Sequence, residues 1–147
     1  MPRFFRKSFW SKEESFPGRH FQLQEYNRDN LLISNLASRL SKGRLTLVGN
    51  AGSFFAFENS GADITLEGDC GWRSCYGMKS GFVAINGEAG HDLGLYSQGG
   101  TINVRKNIRS ISESYVEGRK QDIYQNGKLV PKQNVVLPIS LMGNSRN

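Results

Sequence analysis

Between Gly43 and Val104 the apolar residues recur every 19 positions. One row is Leu45, Ile64, Val83 and Ile102; a second, two residues on, is Leu47, Leu66, Ile85 and Val104. Apolar, polar, apolar is the pattern of a strand that buries one face. Small residues keep the same register in three further rows: Gly43, Ala62, Gly81 and Gly100; Gly49, Gly68 and Gly87; Gly52, Gly71 and Gly90. Each unit reads as a short strand, a Gly-x-x-Gly corner and a second short strand: "FFAF" (54–57), "SCY" (74–76) and "LGL" (93–95). Phe57, Tyr76 and Leu95 add another apolar row. A unit of this size cannot bury its own apolar face, but units stacked about 4.8 Å apart can. The pattern predicts an all-β chain, a short right-handed parallel β-solenoid of about four coils. An antiparallel β-sandwich has no reason to keep five rows in one register. The nine glycines at positions 43, 49, 52, 68, 71, 81, 87, 90 and 100 are its structural corners, needed for positive φ or close backbone approach.

Outside residues 43–118, assigned to the solenoid, the pattern changes. Asp29 or Asn30 can cap a helix over 29–42, with Leu32, Ile33, Leu36, Ala37 and Leu40 on one face and Gly43 just past its end. An open solenoid end exposes strand edges, and such a helix would cover one; its other reading is a partner-binding helix. Residues 1–28 form a basic, aromatic amino-terminal arm in which "FQLQEY" alternates like a strand. In the fourth coil Lys106 and Arg109 replace the first and second corner glycines, and Ile123 falls on the Leu47 row. Residues 119–147 read as a hairpin about Asn126-Gly127 and a tail, with a last edge strand over "VVLPISL". Both terminal segments are expected to be extended arms.

Length and charge refine this picture. The chain has 147 residues and a formal net charge of +6, enough for one core. Residues 1–42 carry +4, residues 43–100 carry −3 and residues 101–147 carry +5. An uneven charge of this kind bears on partners and solubility. No apolar run reaches the roughly 20 residues of a membrane-spanning helix, and no transmembrane segment is expected. Two cysteines do not make a disulfide-stapled fold, so the default location is the cytoplasm or another reducing compartment. The Arg-rich start leaves a mitochondrial location as an alternative, and a virion as another.

Chemistry is sparse. Cys70 and Cys75 are the only cysteines, and a zinc site needs about four N/S ligands. Shifted by 19, Cys70 lands on Ala51 and Ala89, and Cys75 on Ala56 and Gly94. Both thiols therefore fit as small buried apolar groups, with a disulfide across the corner as the alternative. Asp63 stacks with Arg44 as a surface ion pair. Asp69 and Glu88 share a row, where they would repel or hold a cation. His91 is expected to face solvent. No nucleophile elbow or phosphate-loop signature occurs. The expectation is no enzyme activity, no catalytic residue, no metal and no cofactor. Partner contacts are expected at Phe4, Phe5, Phe9 and Trp10 in the basic arm and at Arg105, Lys106 and Arg109 near the solenoid's end. Nucleic acid is the less favoured partner for these cations, and a membrane surface is the alternative for the aromatic arm.

"SGADITLEGDCG", "KSGFVAINGEAG" and "GGTINV" resemble the repeats of the GXGXG β-solenoid family. That family includes the carboxy-terminal domain of the glutamate synthase large subunit and the solenoid subunit of formylmethanofuran dehydrogenase. Gly87, Ala89, Gly90 and Gly94 match one unit of its pattern; Gly68, Gly71 and Met78 match another. The resemblance covers about residues 41–107 and implies a scaffold, not a catalytic centre. The function expected is a non-catalytic structural subunit of a multi-protein assembly. The alternatives are a self-assembling shell, fibre or virion protein, and an accessory solenoid subunit of a glutamate synthase-like or formylmethanofuran dehydrogenase-like enzyme.

Overall fold

The computed structural model describes the backbone of residues 19–22 and all of residues 32–133. Seven strands follow in chain order: β1 (Arg19–Gln22), β2 (Arg44–Val48), β3 (Ser60–Glu67), β4 (Ser80–Ile85), β5 (Thr101–Val104), β6 (Asp122–Gln125) and β7 (Lys128–Leu129). They form one sheet in sequence order. β1 to β6 are parallel, and β7 closes antiparallel on β6. Consecutive parallel neighbours with long crossovers are what a solenoid requires, and the described chain is a parallel β-solenoid of about four turns.

The 19-residue register holds from β2 to β5. Leu45 pairs with Ile64, Ile64 with Val83 and Val83 with Ile102; the Leu47, Leu66, Ile85 and Val104 row runs beside it. All eight side chains are buried to 1% exposure or less. Each contributes about 1.5–3 kcal/mol of apolar burial, and each is in register with its equivalent in a neighbouring coil. At the ends the register slips. Ile102 pairs with Ile123, a step of 21, so Ile123 extends the Leu45 row and not the Leu47 row. At the other end Phe21 pairs with Leu47, a step of 26.

The remainder of each coil departs from the expected second strand. Residues 53–58 and 72–77 curl, and every other residue there is left-handed. The left-handed positions stack in three rows: Asn35, Phe54, Arg73, Asp92; Ala37, Ala56, Cys75, Gly94; and Arg39, Glu58, Gly77, Tyr96, with φ between 52° and 76°. Ten of the twelve carry a side chain, which normally costs about 1–2 kcal/mol per residue in this region. Hydrogen bonds between coils hold them there. Phe54, Arg73, Glu58 and Gly77 donate their N–H to carbonyls of the following coil, and Ala56, Cys75 and Gly94 to those of the preceding one, at 2.7–3.0 Å. Where the register shortens, Asp92 and Tyr96 donate to the hydroxyls of Ser110 and Ser114 instead.

The same curl replaces the expected capping helix. Residues 32–42 contain no helix, and residues 29–31 lie outside the described residues. Leu36, Ala37 and Leu40 are buried as the helical face required, but Leu32 is 51% exposed. Asn35 donates to the Ser53 carbonyl and Arg39 to the Phe57 carbonyl, so this segment is the first coil's own corner.

The glycines divide by cause. Gly43, Gly49, Gly81 and Gly100 have φ between 89° and 127°. Gly68 and Gly87 are required by approach: a Cβ would lie 2.0 Å from the Gly49 carbonyl oxygen and 2.3 Å from the Gly68 carbonyl oxygen, respectively. At the carboxy-terminal side Asn126 (φ 50°) and Gly127 (φ 81°) make the hairpin expected between β6 and β7. Tyr115 ties it down: its hydroxyl accepts from the Ile123 N–H and donates to the Val130 carbonyl at 2.7 Å. The segment "VVLPISL" lies outside the described residues.

Candidate functional site

The left-handed curl determines which side chains reach solvent. Its stacked positions bring aromatic rings from successive coils together. Phe57 and Tyr76 stack with centroids 5.3 Å apart, Phe54 lies 5.8 Å from Tyr76, and Tyr96 meets Tyr76 edge-on at 5.4 Å. The Arg39 guanidinium sits 5.6 Å over the Phe57 ring, and its Nε is 3.1 Å from Glu58 Oε1. Arg73 pairs with Asp92 at 3.6 Å in the row of Phe54. These half-exposed pairs contribute about 1 kcal/mol or less each. The consequence for recognition is an aromatic ladder with an outer end in solvent: Tyr96 is 60% exposed, and Trp72, at the start of the curl, is 63% exposed.

The expected contact residues are not gathered into one place. Phe4, Phe5, Phe9 and Trp10 lie outside the described residues. Arg105, Lys106 and Arg109 are exposed on the turn after β5, and none of them joins an ion pair among the described residues. Arg105 borders a groove of about 300 Å³ with Asn86, Asn103, Asn126 and Gly127. Arg109 borders a different depression, of about 440 Å³, with Asp69, Trp72, Glu88 and His91 around it.

The acidic row has a structural task. Asp69 N–H donates to Asn50 Oδ1 at 2.9 Å, and Glu88 N–H to Asp69 Oδ1 at 2.8 Å. One Asp69 oxygen therefore caps the backbone of the next coil. Arg44 and Asp63 are register partners on the outer face, but the expected ion pair between them is not among those formed. His91 is exposed, with Nδ1 3.2 Å from Ser110 Oγ. Among the described residues no group of three or more His, Cys, Asp and Glu side chains could hold a metal. No helix there is long and apolar enough to cross a membrane.

Both cysteines are free and buried, 6% exposed at Cys70 and 0% at Cys75. Burial pushes the Cys70 thiol up to about 11, against hydrogen bonds from Ser74 and the Gly90 backbone; the Asp69 charge adds to the rise. Burial, and then the neighbouring Cys70, push Cys75 well above the ordinary thiol range. Neither is a ready thiolate at neutral pH. Their rows are filled by Ala51 and Ala89, and by Ala56 and Gly94, so both serve as core packing.

Sequence reasoning finds the row of Phe57, Tyr76 and Leu95 but misses Trp72 and Tyr96 as the exposed groups. The available signal is a large aromatic at a row position where other coils carry Ser53 and His91, or Glu58 and Gly77. Compared with known proteins, the chain matches no family model, no curated protein and no solved structure. The fold places it in one class, the parallel β-solenoids.

Proposed function

We propose that this chain is a non-catalytic structural or scaffolding subunit of a larger multi-protein assembly. The stacked coils act as a rigid spacer, and contacts are made by exposed aromatic and cationic groups together with the basic terminal segments. The observation that carries this reading is the aromatic ladder. A chain gains nothing for its own core by leaving Tyr96, the outer ring of the ladder, 60% exposed, and exposed aromatics are the commonest anchors of protein interfaces. Arg105, Lys106 and Arg109, which join no ion pair among the described residues, supply complementary charge at the rim.

Native mass spectrometry of the chain purified from its own source tests this. The expected result is a fixed stoichiometry with other subunits, weakened by Tyr96→Ala. A homo-oligomer that scatters light as pure protein supports the self-assembling reading instead. A flavin-, iron–sulfur- or molybdopterin-bearing partner supports the accessory-subunit reading that the GXGXG resemblance implies. A strictly monomeric chain without partners refutes all three.

A further inference from the structure

We propose that the depression beside Trp72 is a binding site for a neutral carbohydrate chain. Its floor is backbone. Gly71 and Gly90 approach so closely that a Cβ on Gly90 would lie 2.7 Å from the Gly71 carbonyl carbon, so no side chain fills the space between the coils. Its rim is chemically mixed: Trp72, Asp69, Glu88, His91 and Arg109. Three successive coils contribute these residues at the same stage of the repeat.

The rim selects the ligand class. A Trp ring 63% exposed offers a flat apolar face, which suits the C–H face of a pyranose ring. Carboxylates accept from hydroxyls, and guanidinium and imidazole groups donate to them. Vicinal hydroxyls can use both kinds at once. Asp69 keeps one oxygen for the rim, since only Oδ1 is engaged by the Glu88 N–H; His91 keeps Nε2, since Nδ1 faces Ser110. Phosphorylated or sulfated ligands are disfavoured by Asp69 and Glu88. Organic cations are disfavoured by Arg109 and by the absence of a second aromatic wall in the depression among the described residues. A volume of about 440 Å³ is in the range of small-molecule sites and holds a unit or two of a sugar chain. The depression is open at the surface, so a chain can run past it without an end being enclosed.

The test uses the full chain carrying Trp10→Phe, so that indole fluorescence reports Trp72 alone. It is titrated separately with maltohexaose, cellohexaose and xylohexaose, and with spermidine and inorganic phosphate as ionic probes. Saturable quenching or a blue shift with at least one hexasaccharide is expected. Calorimetry should show the affinity reduced at least tenfold by Trp72→Ala and severalfold by Glu88→Gln. Circular dichroism checks that both variants keep the fold, as exposed positions allow. Silence toward all three sugars overturns the proposal, and so does sugar binding that Trp72→Ala leaves unchanged. Saturable binding of spermidine or phosphate alone overturns it in favour of an ionic site. Each result is independent of whether the chain joins an assembly.

Discussion

Phe57 and Tyr76, equivalent residues of adjacent coils, stack with centroids 5.3 Å apart and planes inclined by 22°. The stack is a direct result of the parallel register, which places like residues over like at one strand spacing. Tyr76 is the centre of the ladder, touching Phe54, Phe57 and Tyr96. Replacing it by leucine, the residue of the next coil, keeps apolar area but removes the ring contacts. Tyr76→Leu is expected to cost about 0.5–1.5 kcal/mol and Tyr76→Ala about 1–3 kcal/mol in urea unfolding. A double-mutant cycle with Phe57→Leu should give a coupling on the order of 1 kcal/mol. A coupling of zero would show that the stack is only coincident packing.

Two kinds of glycine predict two kinds of loss. At Gly68 a Cβ would lie 2.0 Å from the backbone carbonyl oxygen of Gly49, at the corner just past β2, and backbone retreats less readily than the end of a side chain. Gly68→Ala is therefore expected to cost more than about 3 kcal/mol or to prevent folding. Gly118 has φ of +98° but nothing within 4 Å of a Cβ. Gly118→Ala should carry only the conformational penalty, about 1 kcal/mol. Equal losses in thermal or urea unfolding would contradict the assignment of Gly68 to steric approach.

The strands were legible in the sequence because burial alternates along them and repeats between them; Leu45 and Ile64 cannot hide their period. The curl was not legible. Asn35 and Arg39 are ordinary residues, and their left-handed backbone is imposed by bonds to a coil about 18 residues away. Leu36, Ala37 and Leu40 have helical spacing, so the local pattern favours a helix while the stack selects a corner. Ile123 leaves its expected row because two extra residues enter the last crossover, an insertion invisible where the glycine rows have already ended. At the candidate sites, Arg105, Lys106 and Arg109 were legible as exposed residues because charged side chains seldom enter a core without a partner. Trp72 and Tyr96 were not, because an aromatic residue in a buried-face repeat reads as core until the curl shows where it points.

The left-handed rows make their own prediction. Ala37 and Ala56 are fully buried with φ near 60°. Replacing either by glycine loses about 0.8 kcal/mol of methyl burial and relieves roughly 1 kcal/mol of left-handed strain. The net change for Ala56→Gly should be within about 0.5 kcal/mol of zero. Ala62 is equally buried, but its φ is not positive, and Ala62→Gly should cost about 1–2 kcal/mol from burial and backbone entropy together. Urea unfolding of the two variants separates the cases; equal destabilisation would mean that the curl stores no strain at Ala56.

The buried thiols should make the fold sensitive to alkali. An exposed thiol ionises with an ordinary value of 9.0, and Cys70 in the fold is held up to about 11. Below pH 9 both states keep the proton, so the stabilising effect of the neutral buried thiol is fully present. Between pH 9 and pH 11 the unfolded chain has released a proton that the folded chain retains, and the unfolding free energy falls as pH rises. The slope is about 1.4 kcal/mol per pH unit for each such thiol. Cys75, fully buried and raised for the same reason, adds to the slope over the same window. The double variant Cys70→Ala, Cys75→Ala installs residues already used at Ala51, Ala89 and Ala56, and it should unfold with a flatter pH dependence above pH 9. Thiol labelling without reductant gives the companion result: no rapid reaction in the native protein and two reactive groups in denaturant, since both cysteines are free. An unchanged alkaline slope in the double variant would assign the sensitivity to other groups and remove the cysteines from the account.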